Sequence, residues 1–448
     1  MRFTRRKILA TGAALGGAAA VPLLPRAAMA AQADAGGAAW EESYAGDPSA
    51  PALSPGAPGR AYSPVVTPGG ATLPWKVVDG TKVYHLVAEE VDHEFAPGLR
   101  AKCWGYSGSV HGPTLEAVEG DHVRVYVTNR LGAPTTVHWH GVYLVNGMDG
   151  VGGLTQRAIL PGETFRYEWT FRQHGTFMYH AHHDEMTQMG MGMMGMIVVH
   201  PRKPSAGYRV DRDFAIMLSE WKIVPGTSRP DPNEMTDFNV LTMNAKVFPA
   251  TPPLVAKLGD RVRIRIGNLS AMEHHAIHLH GHFFKVAATD GGQKSPESQI
   301  RETTVLVPVG STRDVEFVAS EPGDWAMHCH MTHHVMTQMG HGIPNMIGVK
   351  QGDLDRKVTP LLPEYMTMGQ DGMGDMATMG MRMPPNSLPM VGGQGPFDYI
   401  TMGGMFTIVK IREGLTSYDD PGWYQHPRGT VAERASAEDL RRDGIQLE

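Results

Sequence analysis

The stretch Gly323-Asp324-Trp325-Ala326-Met327-His328-Cys329-His330 repeats Gly175-Thr176-Phe177-Met178-Tyr179-His180-Ala181-His182, with His328 standing 148 positions after His180. Upstream, Pro252-Pro253-Leu254, Val262-Arg263-Ile264-Arg265-Ile266 and His278-Leu279-His280-Gly281 repeat Gly112-Pro113-Thr114-Leu115, Val123-Arg124-Val125-Tyr126-Val127 and His138-Trp139-His140-Gly141, at an offset of 140. Both copies continue into Met-Thr-Gln-Met-Gly, at 186–190 and 336–340. Self-similarity at this scale marks a duplicated domain. Within each copy, short alternating apolar runs are split by Gly and Pro, the pattern of a Greek-key β-sandwich. The expected fold class is all-β, with two sandwich domains at about 76–203 and 207–350. The 92 residues between His182 and His275 are mostly needed as leading strands of the second copy, which leaves no room for a third sandwich.

Each copy carries two H-x-H pairs, and together they supply eight imidazoles: His138, His140, His180, His182, His278, His280, His328 and His330. Alternate residues of a strand face opposite ways, so one pair can aim its two rings at two different metals. One pair encloses Cys329, with His334 five residues on, Met339 ten residues on, and His275 three residues before His278. Two imidazoles, one thiolate and a weak thioether form the ligand set of a blue-copper electron-transfer site. The chain then connects that site to the H-x-H set covalently, because His328 and His330 flank Cys329. Spacing favours His275 over His274 and His334 over His333, and leaves His183 outside the set. In the first copy Ala181 takes the cysteine position and Thr135 the His275 position, so one such site per chain is expected.

The whole chain has 448 residues, a net charge of −6 and 42% hydrophobic residues, with no basic stripe suited to nucleic acid. Its 29 Met and 22 His contrast with 2 Cys. Cys329 is wanted as a thiolate, which leaves Cys103 as a buried unpaired thiol and no disulfide. Thr4-Arg5-Arg6-Lys7-Ile8-Leu9, an Ala/Gly-rich apolar run and Ala28-Met29-Ala30 read as a twin-arginine signal peptide over 1–30, not as a stable membrane anchor. Export to the periplasm or the cell exterior is therefore expected. Residues 31–75, rich in Ala, Gly, Pro and Ser, are expected to be a disordered leader. Residues 351–448 form a Met-rich C-terminal extension, in which Phe406-Thr407-Ile408-Val409-Lys410-Ile411 reads as one strand.

The four H-x-H motifs, with the run from His328 through Cys329 and His334 to Met339, resemble the multicopper oxidases over roughly residues 80–350. Without a middle domain, the chain is similar to the two-domain, laccase-like members. The resemblance implies two cupredoxin-like domains and four copper ions per functional unit: one type 1, one type 2 and a type 3 pair. It implies that His138 and His278 hold the type 2 ion. His140, His180, His182, His280, His328 and His330 would hold the type 3 pair. His275, Cys329, His334 and Met339 would hold the type 1 ion. It also implies proton delivery by Asp149, which comes eleven residues after His138. Where some metal-oxidising members carry an acid after the second type 1 histidine, this chain has Val335. The implied activity is one-electron oxidation of a reductant coupled to four-electron reduction of dioxygen to water. The implied assembly is a homotrimer whose cluster lies between subunits, with a self-closing monomer as the competing arrangement.

The reductant is open between a phenol or aromatic amine and a metal ion. Soft thioethers suit Cu(I), and Met366, Met368, Met373, Met376, Met379, Met381 and Met383 crowd the extension. That favours a cuprous oxidase with a copper-tolerance role as the alternative to a phenol-oxidising laccase. The run Met186 to Met196 reads instead as packing. A copper nitrite reductase does not need four H-x-H pairs, and a copper buffer does not need the Cys329 link.

Overall fold

The structure, a computed structural model, describes residues 55–205, 207–337, 356–357, 360–361, 385–389 and 392–446. The signal segment, Met339 and the methionines from 366 to 383 lie outside the described residues. In the first repeat the strands are β1 (Trp75–Val78), β2 (Thr81–Ala96), β3 (Leu99–Tyr106), β4 (Leu115–Val118), β5 (His122–Asn129), β6 (Val137–His140), β7 (Thr164–Thr170), β8 (Gly175–Ala181) and β9 (Met194–His200). They form two sheets, β1-β2-β5-β7 with β3 on β2, and β4-β9-β8-β6. The period-2 run in β5 puts Val123, Val125 and Val127 inside, where they pack with Trp139, Tyr167 and Tyr179.

The second repeat follows with β10 (Arg212–Trp221), β11 (Val240–Met243), β12 (Leu254–Lys257), β13 (Arg261–Asn268), β14 (His275–Leu279), β15 (Phe284–Thr289), β16 (Gly292–Gln293), β17 (Arg301–Glu302), β18 (Thr304–Val307), β19 (Ser311–Val318) and β20 (Gly323–Cys329). A small hairpin, β21 (Gly393–Gly395) and β22 (Asp398–Ile400), precedes β23 (Phe406–Arg412). One sheet runs β11-β10-β13-β19-β15-β16 with β17 on β15, and the other β12-β23-β20-β14-β18.

Two expectations need correction. The second sandwich does not close within 207–350: β23 lies between β12 and β20, parallel to the first and antiparallel to the second. β9 has the same place in the first repeat, parallel to β4 and antiparallel to β8. The slot is set by the repeat, and the apolar strand at 406–412 fills it from the extension. The leader is also not disordered to residue 75. Gly56 N–H donates to Asp121 (2.6 Å) and Val65 N–H to Glu116 (2.8 Å), while Val66 and Leu73 pair with backbone of the second and first repeats. Asp121 and Glu116 are buried carboxylates, and a buried charge needs such donors.

Two further apolar clusters join the repeats. One unites Phe95, Cys103 and Val110 with Trp221 and Val247; the other unites Met178, Met194 and Met196 with Met217 and Leu269. Cys103 is an unpaired buried thiol, as expected. Arg265 is fully buried with Asp213 (2.7 Å) and Asp314 (3.1 Å), and also reaches Thr176 of the first repeat. Removing one charge from such a network costs about 3–5 kcal/mol, because the partner is left buried and unpaired.

Two histidines tie the repeats in a pH-dependent way. His93 Nε2–H donates to the Ala245 carbonyl (2.6 Å), and His111 Nε2 meets Ser219 Oγ (2.8 Å). Burial pushes His93 down to about 4 and His111 down to about 3. Both are neutral in the fold and take a proton more readily when unfolded. Their stabilising effect is complete above about pH 6.5 and is lost as pH falls toward about 4, on the order of 3 kcal/mol for His93. Melting temperature should therefore drop across that window, and His93→Gln should flatten the slope. An unchanged slope in the variant would contradict this assignment.

Candidate metal centre

The H-x-H pairs sit on facing strands in the same register in both repeats. On β6 and β8, His138 is opposite His180; on β14 and β20, His278 is opposite His328. Each first pair ends at a glycine in left-handed backbone, Gly141 (φ 83°) and Gly281 (φ 69°), which turns the chain away after the second ring. A Cβ at Gly281 would also lie 2.3 Å from the Trp325 ring.

In the first repeat His140 Nδ1 lies 3.4 Å from His180 Nε2, and the His138 ring is 5.4 Å from those of His180 and His182. Donor atoms of His138, His140 and His180 all lie within 4.8 Å of one another. In the second repeat His280 Nε2 lies 3.1 Å from His328 Nε2, and the His278 ring is 5.4 Å from that of His330. Among the described residues, ring contacts run within each set of four and none joins the two sets. His280 and His330 are exposed.

Backbone groups fix several tautomers. His138 Nδ1–H donates to the Asp149 carbonyl (2.8 Å), His278 Nδ1–H to Thr303 (2.7 Å), His180 Nδ1–H to Ala181 (2.9 Å) and His328 Nδ1–H to Cys329 (2.8 Å). In each case Nδ1 carries the ring proton and Nε2 the lone pair, which for His180 and His328 faces the neighbouring His140 and His280; such outer contacts set ligand orientation. The Asp149 carboxylate is 3.4 Å from the same His138 nitrogen. Burial pushes His180 down to about 3 and lowers His140, His280 and His328, which keeps these rings in the neutral form a metal requires.

The second donor set is fully buried. His275 Nδ1 and His334 Nδ1 are 3.1 Å apart, and Cys329 Sγ is 3.8 Å from the first and 3.5 Å from the second. The outer nitrogens are both engaged: His275 Nε2 with Ser270 Oγ (2.6 Å), His334 Nε2 with Glu273 (3.0 Å). Two imidazole Nδ1 atoms and a thiol therefore converge on one point. That donor set fits copper. Burial pushes His275 down to about 3. For His334, burial pulls down, but the Cys329 and Glu273 contacts outweigh it and hold the ring up at about 9.

The spacing thus brings His275 and His334 to Cys329, while His274 and His333 are exposed. Met339 lies outside the described residues. In the first repeat the equivalent place is closed by Thr135, which donates to Gln188 (2.6 Å) beside buried Ala181. Sequence reasoning missed three groups: Glu273, Glu220 and Glu185. Glu185 approaches His180 (3.5 Å) and His182 (3.9 Å). Glu273 has a weak signal, two residues before His275; Glu220 lies on a different strand and has none.

The multicopper oxidase family pattern matches residues 87–204 and again 225–347. Copper resistance protein A of Pseudomonas syringae pv. tomato is 26% identical over 328 residues, covering 62% of this chain and 52% of that protein. The chain therefore spans about half the length of that curated relative. Among solved structures, the multicopper oxidase mgLAC is similar at 30% identity with a TM-score of 0.54, over 76% of this chain and 89% of that one. The blue copper oxidase from Nitrosomonas europaea is similar at 26% identity with a TM-score of 0.54, over 81% and 94%. With two matched domains, a duplicated H-x-H framework and a buried His-Cys-His set, the chain belongs to the multicopper oxidases.

Proposed function

We propose that the chain is a copper-dependent oxidase of laccase-like type, taking single electrons from a small reductant and giving four to dioxygen to form water. The observation that carries this reading is the place of Cys329. Its thiol sits between His275 and His334, while its two neighbours in sequence belong to the H-x-H set. His275, Cys329, His334 and Met339 hold one type 1 ion. His138 and His278 hold the type 2 ion, and the other six paired histidines hold the type 3 pair. Copper at these places supplies one-electron oxidation at the first and four-electron reduction of dioxygen at the second.

The chain's own groups orient and protonate. The Asp149 carbonyl fixes His138 with its free nitrogen toward the cluster, and the Asp149 carboxylate holds a proton source beside it. Burial of Cys329 at 0% exposure excludes water from the thiol. Ring contacts join the histidines within each set of four and not across the two sets, and two members of the second set, His280 and His330, are exposed. This supports a homotrimer in which the first repeat of one subunit meets the second repeat of the next. The domains are 76–203 and 207–350 with β23 added. The twin-arginine segment supports export. Among the described residues, no helix is long and apolar enough to cross a membrane. The name of the copper resistance relatives favours a metal-ion reductant, and the laccase relatives a phenol.

Steady-state oxygen uptake by the copper-loaded protein with Cu(I), Mn(II), Fe(II) and a dimethoxyphenol tests this. Uptake without peroxide release is expected with at least one of them. No uptake at full copper loading would end the oxidase reading. In the same assay Asp149→Asn should lower kcat by about 10²-fold with little change in KM, the pattern of a lost proton source. Unchanged kcat would remove Asp149 from the mechanism.

A further inference from the structure

The loop that carries Cys329 and His334 is held by chain from far along the sequence. Cys329 N–H donates to the Met405 carbonyl (3.0 Å), and Met405 N–H donates to the His334 carbonyl (2.9 Å). One residue of the extension thus bonds both the cysteine and the second histidine of the buried His-Cys-His set. Beside it, Gly403 N–H donates to the Val335 carbonyl (2.6 Å). Gly404, between them, has φ 59°, and a Cβ there would overlap the carbonyl oxygens of Met336 and His334. Both are backbone atoms and cannot swing aside, so only glycine lets the segment approach this closely. Gly403 is tight as well, since a Cβ there would overlap Thr337 Oγ1. Met405 and Cys329 are both fully buried, in one core cluster.

The first repeat shows what is particular to the second. There Ala181 N–H donates to the Met193 carbonyl (3.1 Å), next to Gly192 at φ 111°. Met193 follows Ala181 by 12 residues, whereas Met405 follows Cys329 by 76. Bonding that is local in the first repeat comes in the second from the far side of the extension. The separation of Cys329 and His334 therefore depends on how residues 403–405 dock, and not on their own short loop alone.

We propose that Gly403-Gly404-Met405 is the positioning segment of the type 1 site. Through its backbone it fixes the spacing of Cys329 and His334, and with it the affinity and colour of the copper they hold. The inference rests on the type 1 assignment given above. Contacts behind a ligand set orient the ligands, and hydrogen bonding around the cysteine tunes a blue-copper site. The segment acts through Cys329 and His334 and is not itself a ligand.

The test uses the full, copper-loaded chain. Gly404→Ala should push Met405 away from His334. Gly403→Ala is a milder second variant, because its Cβ meets a side-chain hydroxyl and not backbone. Val409→Ala is the control: Val409 is buried in β23, paired with Leu254 and Trp325 away from the ligand loop. In both glycine variants we expect a shifted blue maximum, a changed copper hyperfine splitting, and an affinity of the type 1 ion lowered on the order of tenfold in chelator competition. The copper held by the paired histidines should stay. Val409→Ala should lower Tm and leave spectrum and affinity as in the parent. Gly403→Ala/Thr337→Ala, which removes the obstructing hydroxyl, should bring the spectrum back toward the parent's. Glycine variants that lose only stability, with the parent's spectrum and affinity, would overturn the proposal, as would the same spectral change in Val409→Ala. If Gly404→Ala does not fold, Gly403→Ala and its rescue decide. A parent that takes up copper without turning blue would sink the type 1 assignment and the proposal with it. A blue parent with unaltered glycine variants would sink the proposal alone.

Discussion

Cys329→Ser should remove the intense blue absorption of the copper-loaded protein and cut turnover on the order of 10³-fold or more. The thiolate is the soft donor between His275 and His334, at 3.8 and 3.5 Å, and it is the covalent start of the path to His328 and His330. A hydroxyl is nearly the same size but is hard and stays protonated, so the blue absorption that depends on a copper–sulfur bond disappears. The fold should survive, because Cys329 is one of many groups in its core cluster. The apt measurements are absorbance, copper content and oxygen uptake on one sample. A variant that stays blue would show that Cys329 is not the ligand. A variant that loses colour but keeps turnover would show that electrons enter elsewhere.

The second large effect concerns subunits. His138→Ala/His140→Ala disables the first-repeat set, and His328→Ala/His330→Ala disables the second. Each variant alone should be inactive. Refolded together in equal amounts, they should recover about one quarter of wild-type activity, the share of interfaces in a mixed ring that join two intact sets. This follows from the ring contacts, which link His138 to His180 and His278 to His328 and, among the described residues, do not join the two sets. If each chain closed its own cluster, no mixture would recover activity. Apolar groups at 283, 300 and 306, exposed by 68%, 64% and 54%, are available to such a contact.

Much of the site was legible because ligand chemistry leaves fixed spacings. The H-x-H pairs are two apart because a strand repeats every two residues, and register then places His138 opposite His180 and His278 opposite His328. The choice of His275 and His334 over their neighbours also came from spacing, and the structure buries both beside Cys329. Met339 was legible in sequence only. The extension misled in part. Its strand at 406–412 was visible, but which sheet it enters depends on a slot between β12 and β20. The leader misled too. Composition marks residues 55–75 as loose, yet the buried carboxylates of Asp121 and Glu116 take their donors from it. The methionines from 186 to 196 divide: Met191, Met193, Met194 and Met196 are buried, while Met186 is exposed at a cavity rim.

The sequence by itself determined the duplicated all-β architecture, the eight paired histidines and the cysteine that links two donor sets. Local periodicity and short-range spacing carry these, and both are written along the chain. Only the tertiary structure decided that Glu273 and Ser270 cap the two buried imidazoles, that Glu220 is buried at a cavity shared by His140, His180 and several methionines, and that ring contacts stay within each histidine set. These are meetings between residues on different strands. No sequence interval encodes them, because the packing of two sandwiches sets the distances.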